Sequence, residues 1–553
     1  MFVLDAYAAR SCPLKAFNLA SPSLSRPPAS SRRAPLPGSV ALGDQVVARL
    51  LACGASTADL RGTADKGQAC LDAMEAGTDV IVAGMLPDDR HQHRRGRPPL
   101  LVRDPGTAAC YRPAVVRFQR VWRSGGSLEY SRLETPLLAE RCDGHSYRWA
   151  SRADNVMGLA HYWRMLETLG HASGTPVGAI ASLDEIDGSP VLTWLALDTD
   201  GLLARYDAEF AEQTEFARQA EAGASADDLG LEPVMTPECD RCDWRPVCRA
   251  RLGDDDLSVR VPHSRLSRAD VLRLREVGVR TAADLAEADM DTLLERLSPP
   301  GAATAPAGDD PDAPGAQHHD DPLSSAAKNA WADHLMAAQH RARLVLAGVA
   351  LERIGSGPVP VPGASLEIDI DLETSSEDRV YLWGFLVSDA ATGECAYHPF
   401  AEFSRLDDDA ETALAGRALA WLRERVEGRD ALVYHYSDYE TLRIARLATR
   451  SGDPRIAWAH EWARTGFIDL FAPVRQHFFG ANGIGLKVVA HAGAGFSWRD
   501  HDPSGLASMA WFEDALAAPT PDERDDARRR LLDYNEDDVR ATLAVRRWLR
   551  SLQ

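Results

Sequence analysis

The stretch Leu366–Thr374, with the sequence LEIDIDLET, alternates strictly between apolar and acidic residues up to its last position. A period of two predicts a β-strand, because successive side chains of a strand point to opposite faces. One face would carry leucine and isoleucine, and the other the carboxylates Glu367, Asp369, Asp371 and Glu373. Such a row of carboxylates repels itself unless a cation lies beside it, and Mg²⁺ or Mn²⁺ prefers carboxylate oxygen. The strand therefore indicates either a divalent-metal site or a solvated acidic face.

The chain of 553 residues is too long for one ordinary hydrophobic core, so we expect several domains. Its composition is that of a globular protein, with 45% hydrophobic and 26% charged residues. No apolar run is long enough to span a membrane, and the N-terminus, with Asp5 and no sustained apolar stretch, does not resemble a signal peptide. We therefore expect a cytoplasmic protein without membrane partners, whose nine cysteines are thiols or metal ligands.

The net charge of −21 argues against a protein that coats nucleic acid over its whole surface. Between positions 90 and 123, however, arginines recur and Asp104 is the only acid. This basic region would either bind phosphates or be an exposed loop and a solvated strand face. From it we select Arg103, Arg117 and Arg120 as candidate nucleic-acid-binding residues.

Three cysteines lie close together in the sequence Cys239-Asp-Arg-Cys242-Asp-Trp-Arg-Pro-Val-Cys248. A C-x2-C-x5-C spacing is typical of a soft-metal site, in which thiolates hold zinc or an iron–sulfur cluster. Spacing alone makes the distant Cys12 only a weak candidate for a further ligand. The alternative is that the cysteines are spaced by chance.

One cysteine near the N-terminus, followed far downstream by C-x2-C-x5-C, resembles the iron–sulfur RecB-type nucleases, which include the AddB nuclease domain. The resemblance implies that residues 1–255 form a PD-(D/E)XK nuclease fold. In that family a [4Fe–4S] cluster joins the two ends of the fold, and Zn²⁺ is the alternative metal here. The implied ligands are Cys12, Cys239, Cys242 and Cys248.

The catalytic motifs of that nuclease family are degenerate in this chain. Pro99 stands where the family has a metal-binding Asp, and Val115 and Arg117 stand where it has an acid and a lysine. The next helix keeps Tyr162 of a Gln-x-x-x-Tyr motif but has Gly158 in place of the glutamine. Because proline and valine side chains cannot bind Mg²⁺, we expect the N-terminal half to be catalytically inactive. It would serve as a nucleic-acid-binding platform, since arginine holds phosphates without catalytic acids.

Residues 256–297 are predicted to form a helix, a glycine turn and a second helix. Ser267 and Thr281 are the expected N-caps, and Gly278 is expected to end the first helix. The pattern resembles helix-hairpin-helix elements, which hold phosphates on backbone amides, and a helical spacer is the alternative.

The remaining chain divides into a linker, a connector and a C-terminal domain. Residues 298–324 are rich in Pro, Gly, Ala and Asp and are predicted to be a disordered linker. Residues 325–358 are predicted to be a helical connector. From 359 to 553 the pattern predicts a strand hairpin, alternating strands and helices, and a long final helix. This order implies an α/β domain with a mixed sheet, so we expect a multidomain α/β protein.

Further acids lie in this C-terminal domain. Glu440 follows the predicted strand ALVYH at the start of a helix, with Asp438 as a rival. Tyr534 and Asp538 are four residues apart in the final helix and so share one face. With the D-x-E strand, they resemble the DEDD exonucleases of the Tyr-x-x-x-Asp type, a DnaQ-like branch of the ribonuclease H fold, although Glu440 replaces the usual Asp. The domain is most similar to the YprB-type exonuclease domain, which one nuclease family joins to an iron–sulfur RecB-like half in this order.

The resemblance implies a site for two Mg²⁺ or Mn²⁺ ions, held by Asp371, Glu373, Glu440 and Asp538. Two-metal hydrolysis of a phosphodiester needs acids that hold the ions roughly 3.5–4 Å apart. Tyr534 would orient the attacking water. Lys487 would neutralise the scissile phosphate, or else be a surface lysine. Glu367 and Asp369 would be a solvated continuation of the acidic face, or support for the ligands.

These observations favour a metal-dependent 3′–5′ exonuclease that acts on DNA or RNA. The alternatives are a nucleic-acid-binding module with two inactive nuclease folds and a redox-responsive regulator. Nucleic acid is the expected partner, and the sequence indicates no particular helicase or repair partner.

Overall fold

The computed structural model describes residues 2–27, 37–107, 109–147, 153–297, 322–501 and 505–552. Most of the predicted disordered linker at 298–324 lies outside these described residues. The chain divides into two compact units. The N-terminal unit comprises Met1–Pro233 and Arg241–Trp244, and the C-terminal unit comprises Val234–Asp240 and Arg245–Gln553.

The N-terminal unit is a mixed α/β structure. Its helices are α1 (Pro13–Ala20), α2 (Pro37–Ala52), α3 (Lys66–Glu75), α4 (Ala153–Thr168) and α5 (Leu202–Glu221). Its strands are β1 (Thr57–Asp59), β2 (Val80–Val82), β3 (Leu86–Asp89), β4 (Arg94–Gly96), β5 (Leu100–Arg103), β6 (Tyr111–Val116), β7 (Trp122–Arg132), β8 (Glu140–Tyr147), β9 (Val177–Ile186) and β10 (Ser189–Ala196). Eight strands form one sheet in the order β1-β2-β5-β6-β9-β10-β7-β8, and β3 pairs with β4.

Several strands of the large sheet bury most of their side chains. Strand β2 has the sequence VIV, and all three side chains are buried. Helix α4 packs against β6 and β9, and α5 packs against α1. This architecture confirms a mixed α/β unit, whereas its assignment as a PD-(D/E)XK fold stays a prediction.

The C-terminal unit combines small helices with a second sheet. Its helices are α6 (Arg245–Arg249), α7 (Leu257–Arg260), α8 (Arg268–Glu276), α9 (Ala282–Glu287), α10 (Met290–Arg296), α11 (Pro322–Leu346), α12 (Asp408–Val426), α13 (Tyr439–Ser451), α14 (Pro454–Gly466), α15 (Phe471–His477), α16 (Leu486–Ala492), α17 (Gly505–Ala517) and α18 (Pro521–Ser551). Its strands are β11 (Leu351–Arg353), β12 (Leu366–Thr374), β13 (Val380–Asp389), β14 (Glu394–Ala401), β15 (Ala431–His435), β16 (Phe467–Asp469) and β17 (Phe478–Gly480).

Helices α8 and α9 begin and end where the sequence predicts. The side chain of Ser267 accepts a hydrogen bond from the backbone of Asp270, and the side chain of Thr281 accepts one from the backbone of Asp284. Each forms a capping box, which satisfies amide groups that a helix start leaves unpaired. Gly278 has a φ of 92°, the left-handed conformation that ends α8.

The predicted helical connector at 325–358 is wrong beyond Leu346, where α11 ends. Gly348 adopts a left-handed φ of 68°, and the amide of Val349 donates to the carbonyl of Leu344 at 2.9 Å, which closes the helix. Strand β11 follows and pairs antiparallel with β17. The segment therefore changes from helix to strand within a few residues of the glycine.

The five-stranded sheet of the C-terminal unit has the order β14-β13-β12-β15-β16. Strands β12 and β13 form the predicted antiparallel hairpin, and β15 and β16 run parallel to β12. The carboxyl ends of β12, β15 and β16 therefore meet at one edge. The apolar face of β12 joins a hydrophobic core with residues of α12 and α13, and α18 also packs against β12.

Candidate metal centre

Strand β12 and helix α18 bring three carboxylates together. Asp371 and Glu373 lie near the carboxyl end of β12, on the face opposite its apolar residues, and Asp538 lies on α18. One oxygen from each of these three side chains lies within 4.8 Å of the other two. Glu373 and Asp538 are buried, and Asp371 is half-buried. Among the described residues no other group of three or more Cys, His, Asp or Glu side chains is this close.

Each of the three carboxylates accepts a hydrogen bond from an uncharged side chain. Asn535 donates its amide N–H to Asp371 Oδ2 at 2.7 Å. Ser508 donates its hydroxyl to Glu373 Oε2 at 2.6 Å. The indole Nε1 of Trp498 donates to Asp538 Oδ1 at 2.6 Å. Neutral donors orient a carboxylate without supplying a positive charge, so balancing the charge of these three side chains is left to protons or to a metal ion.

The amino-terminal half of the same strand is neutralised by arginine. Asp369, which is 0% exposed, receives two hydrogen bonds from Arg546, at 3.1 Å from Nε and 2.7 Å from Nη2. Glu367 is bound by Arg546 and lies 2.7 Å from Nη2 of Arg550. The expectation of a solvated acidic face is therefore wrong, because α18 covers these carboxylates with its own cations.

Glu440 lies at the start of α13, beyond the carboxyl end of β15, and is 4% exposed. Its Oε2 is buried, and no described side chain or backbone group forms a hydrogen bond with it. The Nδ1 of His435 is 3.6 Å away and forms its hydrogen bond with the carbonyl of Ser437 instead. Asp438, the rival from the sequence, is exposed. A buried carboxylate oxygen without a hydrogen-bond donor fits a cation, because an unsatisfied buried charge is costly.

Asp469 is an acid of this region that the sequence analysis missed. It is the last residue of β16, and its Oδ1 accepts hydrogen bonds from the amides of Ser437 and Phe471, both at 2.8 Å. Asp469 thereby holds the turn that leads from β15 to Glu440, in which Ser437 has a φ of 76°. Its position directly after an apolar pair, Phe-Ile-Asp, was a usable signal, because acids at the carboxyl ends of parallel strands meet at one edge.

Tyr534 and Lys487 are in contact beside the carboxylates. Tyr534 is 4% exposed, and the ammonium of Lys487 donates to its hydroxyl at 2.9 Å. The same ammonium is 4.7 Å from the centre of the Tyr534 ring and 5.7 Å from that of Trp498. Burial raises the pKa of Asp538 to about 6, and the nearby charge of Lys487 opposes this rise, so that charge acts on the carboxylate cluster. Lys487 is therefore a partly buried lysine beside the acids and not an isolated surface lysine.

The pKa values of these acids are raised. Burial and the charges of Asp538 and Glu373 hold the pKa of Asp371 well above its ordinary value. Burial and the charge of Asp538 raise the pKa of Glu373 to about 8. Burial, with the charges of nearby acids, also raises the pKa of Glu440 to about 8. Without a cation, part of this cluster therefore holds protons at neutral pH, and a divalent ion would displace them.

The raised values predict that the chelated protein loses stability as the pH rises from about 7 to about 8.5. In the unfolded chain a glutamate has a pKa of about 4.3, whereas Glu373 in the folded protein has a pKa of about 8. Between these two pH values the folded protein therefore binds more protons than the unfolded chain does. Stability must then fall with rising pH. The buried histidines His161 and His435 have lowered pKa values, so their contribution is complete above their unfolded value of about 6.5.

Melting temperatures measured by differential scanning fluorimetry, in chelator and in Mn²⁺, test this expectation. The increase caused by Mn²⁺ should be larger at the higher pH, and Glu373→Gln, which mimics the protonated acid, should weaken the pH dependence. A melting temperature in chelator that increases over this pH range would contradict the prediction.

The candidate phosphate-binding arginines of the N-terminal unit already have partners. Arg103 donates to Asp79 Oδ1 at 3.0 Å from Nε. Arg117 donates to the hydroxyl of Tyr7 at 2.7 Å. Arg120 keeps 50% of its side chain exposed and lies 3.8 Å from a buried carboxylate. Their role in binding nucleic acid stays a prediction. The side chain of Arg103 is 24% exposed and forms an ion pair with Asp79.

The predicted iron–sulfur cluster, and its zinc alternative, has no support within either unit. Cys12 and Cys242 belong to the N-terminal unit, and Cys239 and Cys248 to the C-terminal unit. In the described part of each unit, the cysteines form no group of three possible ligands. The thiol of Cys239 is instead 3.6 Å from the carbonyl of Val234, to which it donates. The spacing of the cysteines remains the only argument for a cluster.

Comparison with known families identifies the fold of one part of the C-terminal unit, residues 368–550. Residues 368–550 match RNase_H_2, a family model of the RNase_H superfamily. This region is therefore an RNase H-like domain, as the sequence motifs indicated, and it contains all three clustered carboxylates. Searches of curated proteins and of solved structures return no match. In the ranges that the structure describes, no helix has both the length and the apolarity needed to cross a bilayer.

Proposed function

We propose that this protein is a metal-dependent 3′–5′ exonuclease that hydrolyses phosphodiester bonds of DNA or RNA. The observation that carries the proposal is the cluster of three carboxylates, Asp371, Glu373 and Asp538, in an RNase H-like domain. Two of them lie near the carboxyl end of β12, and the third lies on α18. Domains of this superfamily are generally nucleases that use Mg²⁺ or Mn²⁺. The Asp-x-Glu strand and the Tyr-x-x-x-Asp helix support the exonuclease branch.

In this proposal the carboxylates have distinct tasks. Asp371, Glu373 and Asp538 would hold one divalent cation, and Glu440, whose buried Oε2 lacks a donor among the described residues, would join Asp371 in holding a second. Bound cations would activate a water molecule and stabilise the leaving oxygen of the phosphodiester. Tyr534 would orient that water, because its hydroxyl is buried beside Asp538.

Lys487 would contribute positive charge next to the scissile phosphate. Its ammonium lies beside Tyr534. Burial raises the pKa values of all three clustered carboxylates, and the positive charge of Lys487 opposes that rise in each of them. A phosphate that enters the site would therefore meet one fixed cation in addition to any metal.

The N-terminal unit would form a non-catalytic platform for nucleic acid. Separately, the helix-hairpin-helix-like residues 256–297 would hold phosphates on backbone amides. The family positions for acids are occupied by Pro99 and by Val115, which is buried among apolar residues of the sheet. Arg120 is half-exposed and offers a contact to phosphate. Phosphate contacts of this kind give affinity without sequence preference.

Hydrolysis of end-labelled single strands of DNA and of RNA tests the proposal. With Mn²⁺ or Mg²⁺, we expect a 3′ label to be released as mononucleotide before a 5′ label leaves the shortened strand. Chelation should stop the release, because carboxylates alone cannot activate water in this arrangement. Release of 5′-labelled mononucleotide first would overturn the polarity. Binding of the strands without any cleavage would favour a nucleic-acid-binding module.

A further inference from the structure

Two donors to the metal centre come from the segment between α16 and α18. Trp498 follows α16, and Ser508 lies in α17. Ser508 is 0% exposed, and Trp498 is half-buried among hydrophobic residues that include Val489 and Phe496. Neither residue belongs to a motif that the sequence analysis recognised, and both reach carboxylates that the D-x-E strand and the final helix supply.

The two hydrogen bonds have defined directions. An indole N–H can only donate, so Asp538 Oδ1 must be the acceptor in its 2.6 Å contact with Trp498. A hydroxyl has a single proton, and Ser508 lies 2.6 Å from Glu373 Oε2 and 3.0 Å from the carbonyl of Gly505. The charged carboxylate is the stronger and nearer acceptor, so it takes the proton.

These bonds act on side chains that repel one another. One oxygen from each of Asp371, Glu373 and Asp538 lies within 4.8 Å of the other two, so negative charges on these side chains repel one another. Without hydrogen-bond partners, these side chains could rotate about their χ angles and move their carboxylates away from one another. A donor that holds one oxygen of each carboxylate fixes its orientation and leaves the other oxygen for a cation.

We propose that Trp498 and Ser508 are positioning residues that hold Asp538 and Glu373 in the orientation in which they bind a divalent metal ion. The inference rests on the metal site of the proposed function and adds to it the residues that preorganise that site. Removal of the indole N–H of Trp498 or of the hydroxyl of Ser508 should therefore lower the affinity for the metal ion while leaving the melting temperature of the protein nearly unchanged.

The affinity of the full-length protein for Mn²⁺, measured by isothermal titration calorimetry after chelation, tests this. Trp498→Phe removes the N–H and keeps the ring, and Ser508→Ala removes the hydroxyl. Each should weaken Mn²⁺ binding about 10- to 100-fold, the usual effect of losing a partner of a metal ligand. Ser508→Thr keeps the hydroxyl and should restore the affinity.

Matched controls separate positioning from general damage. Trp421→Phe alters a half-buried tryptophan that packs on Phe385 and Phe400, outside the metal centre. Ser376→Ala breaks a serine–carboxylate bond of the same length, 2.6 Å to Glu513 Oε1. Both controls should bind Mn²⁺ like the unmodified protein, and melting temperatures in chelator should fall no further for Trp498→Phe and Ser508→Ala than for the controls.

The failure of this inference differs from the failure of the proposed function. If the unmodified protein binds Mn²⁺ and degrades nucleic acid, but Trp498→Phe and Ser508→Ala bind the ion equally well, only the positioning role is overturned. If the variants bind Mn²⁺ no worse than the two controls do, the same conclusion holds. If the unmodified protein neither binds Mn²⁺ nor cleaves nucleic acid, both ideas fail together.

Discussion

Asp371→Asn is expected to lower the nuclease activity by more than about 100-fold, because loss of a metal ligand must exceed the 10- to 100-fold cost of losing a ligand's hydrogen-bond partner. The substitution keeps the size of the side chain and one acceptor oxygen, but it removes the negative charge. Asp371 is also the one carboxylate proposed to contact both cations. Initial rates of release of a 3′ label, with Mn²⁺ in excess, measure the effect.

Asp389→Asn is the matched control for this variant. Asp389 is a buried acid of the neighbouring strand β13, and it accepts a hydrogen bond from Arg429 at 2.9 Å, away from the metal centre. We expect this control to retain the activity of the unmodified protein. Full activity in Asp371→Asn would place the chemistry outside the RNase H-like domain, and the N-terminal unit would then be the first place to search.

Arg546→Ala is expected to lower the free energy of unfolding by about 3–5 kcal/mol, the usual cost of removing one partner from a buried ion pair. Arg546 and Asp369 are 1% and 0% exposed, so water cannot replace the lost guanidinium. Asp369, whose pKa burial already raises to about 6, would either carry an uncompensated charge or bind a proton, and Glu367 would lose one of its two arginine partners. Urea unfolding in chelator, followed by far-ultraviolet circular dichroism, measures the change.

An exposed pair provides the comparison for Arg546. Arg464 lies 3.0 Å from Glu461, and the two side chains are 65% and 71% exposed. Arg464→Ala should cost at most about 1 kcal/mol, because water solvates both charges when the pair is broken. A loss for Arg546→Ala as small as that for Arg464→Ala would contradict the role of the buried pair.

Local patterns in the sequence were sufficient for β12 and for the ends of several helices. A strict alternation of apolar and acidic residues fixes a strand and the faces of its side chains, since the period of a strand is two. Ser267, Thr281 and Gly278 act within three residues of themselves, so their positions could be predicted without tertiary information. The end of α11 has a local signal of the same kind. Gly348 lies two residues after Leu346, the last residue of the helix, so the sequence also contained the stop that the predicted helical connector overran.

The partners of the acidic face could not be predicted from local pattern. Asp369 is bound by an arginine 177 residues away, and Glu373 by a serine 135 residues away. Which carboxylate meets a cationic and which a neutral donor depends on how α18 crosses β12, and no periodicity within either element encodes that crossing. The burial of Glu440 and the exposure of Asp438 likewise depend on the turn that Asp469 holds, which no local pattern encodes.

Two kinds of partner bind the acids of β12: arginines bind Glu367 and Asp369, and uncharged donors bind Asp371 and Glu373. This difference affects the net charge of the proposed metal centre. If the two proposed cations bind, their charge would balance that of the four proposed carboxylate ligands, so an incoming phosphate would meet no net repulsion from these groups and would be attracted by Lys487. Arginines at the positions of Trp498 and Ser508 would add two positive charges to this net charge. They would also compete with the metal ions for the same carboxylate oxygens. In the proposed function, the uncharged donors would therefore leave the carboxylate charge to divalent cations and would not oppose the approach of an anionic strand.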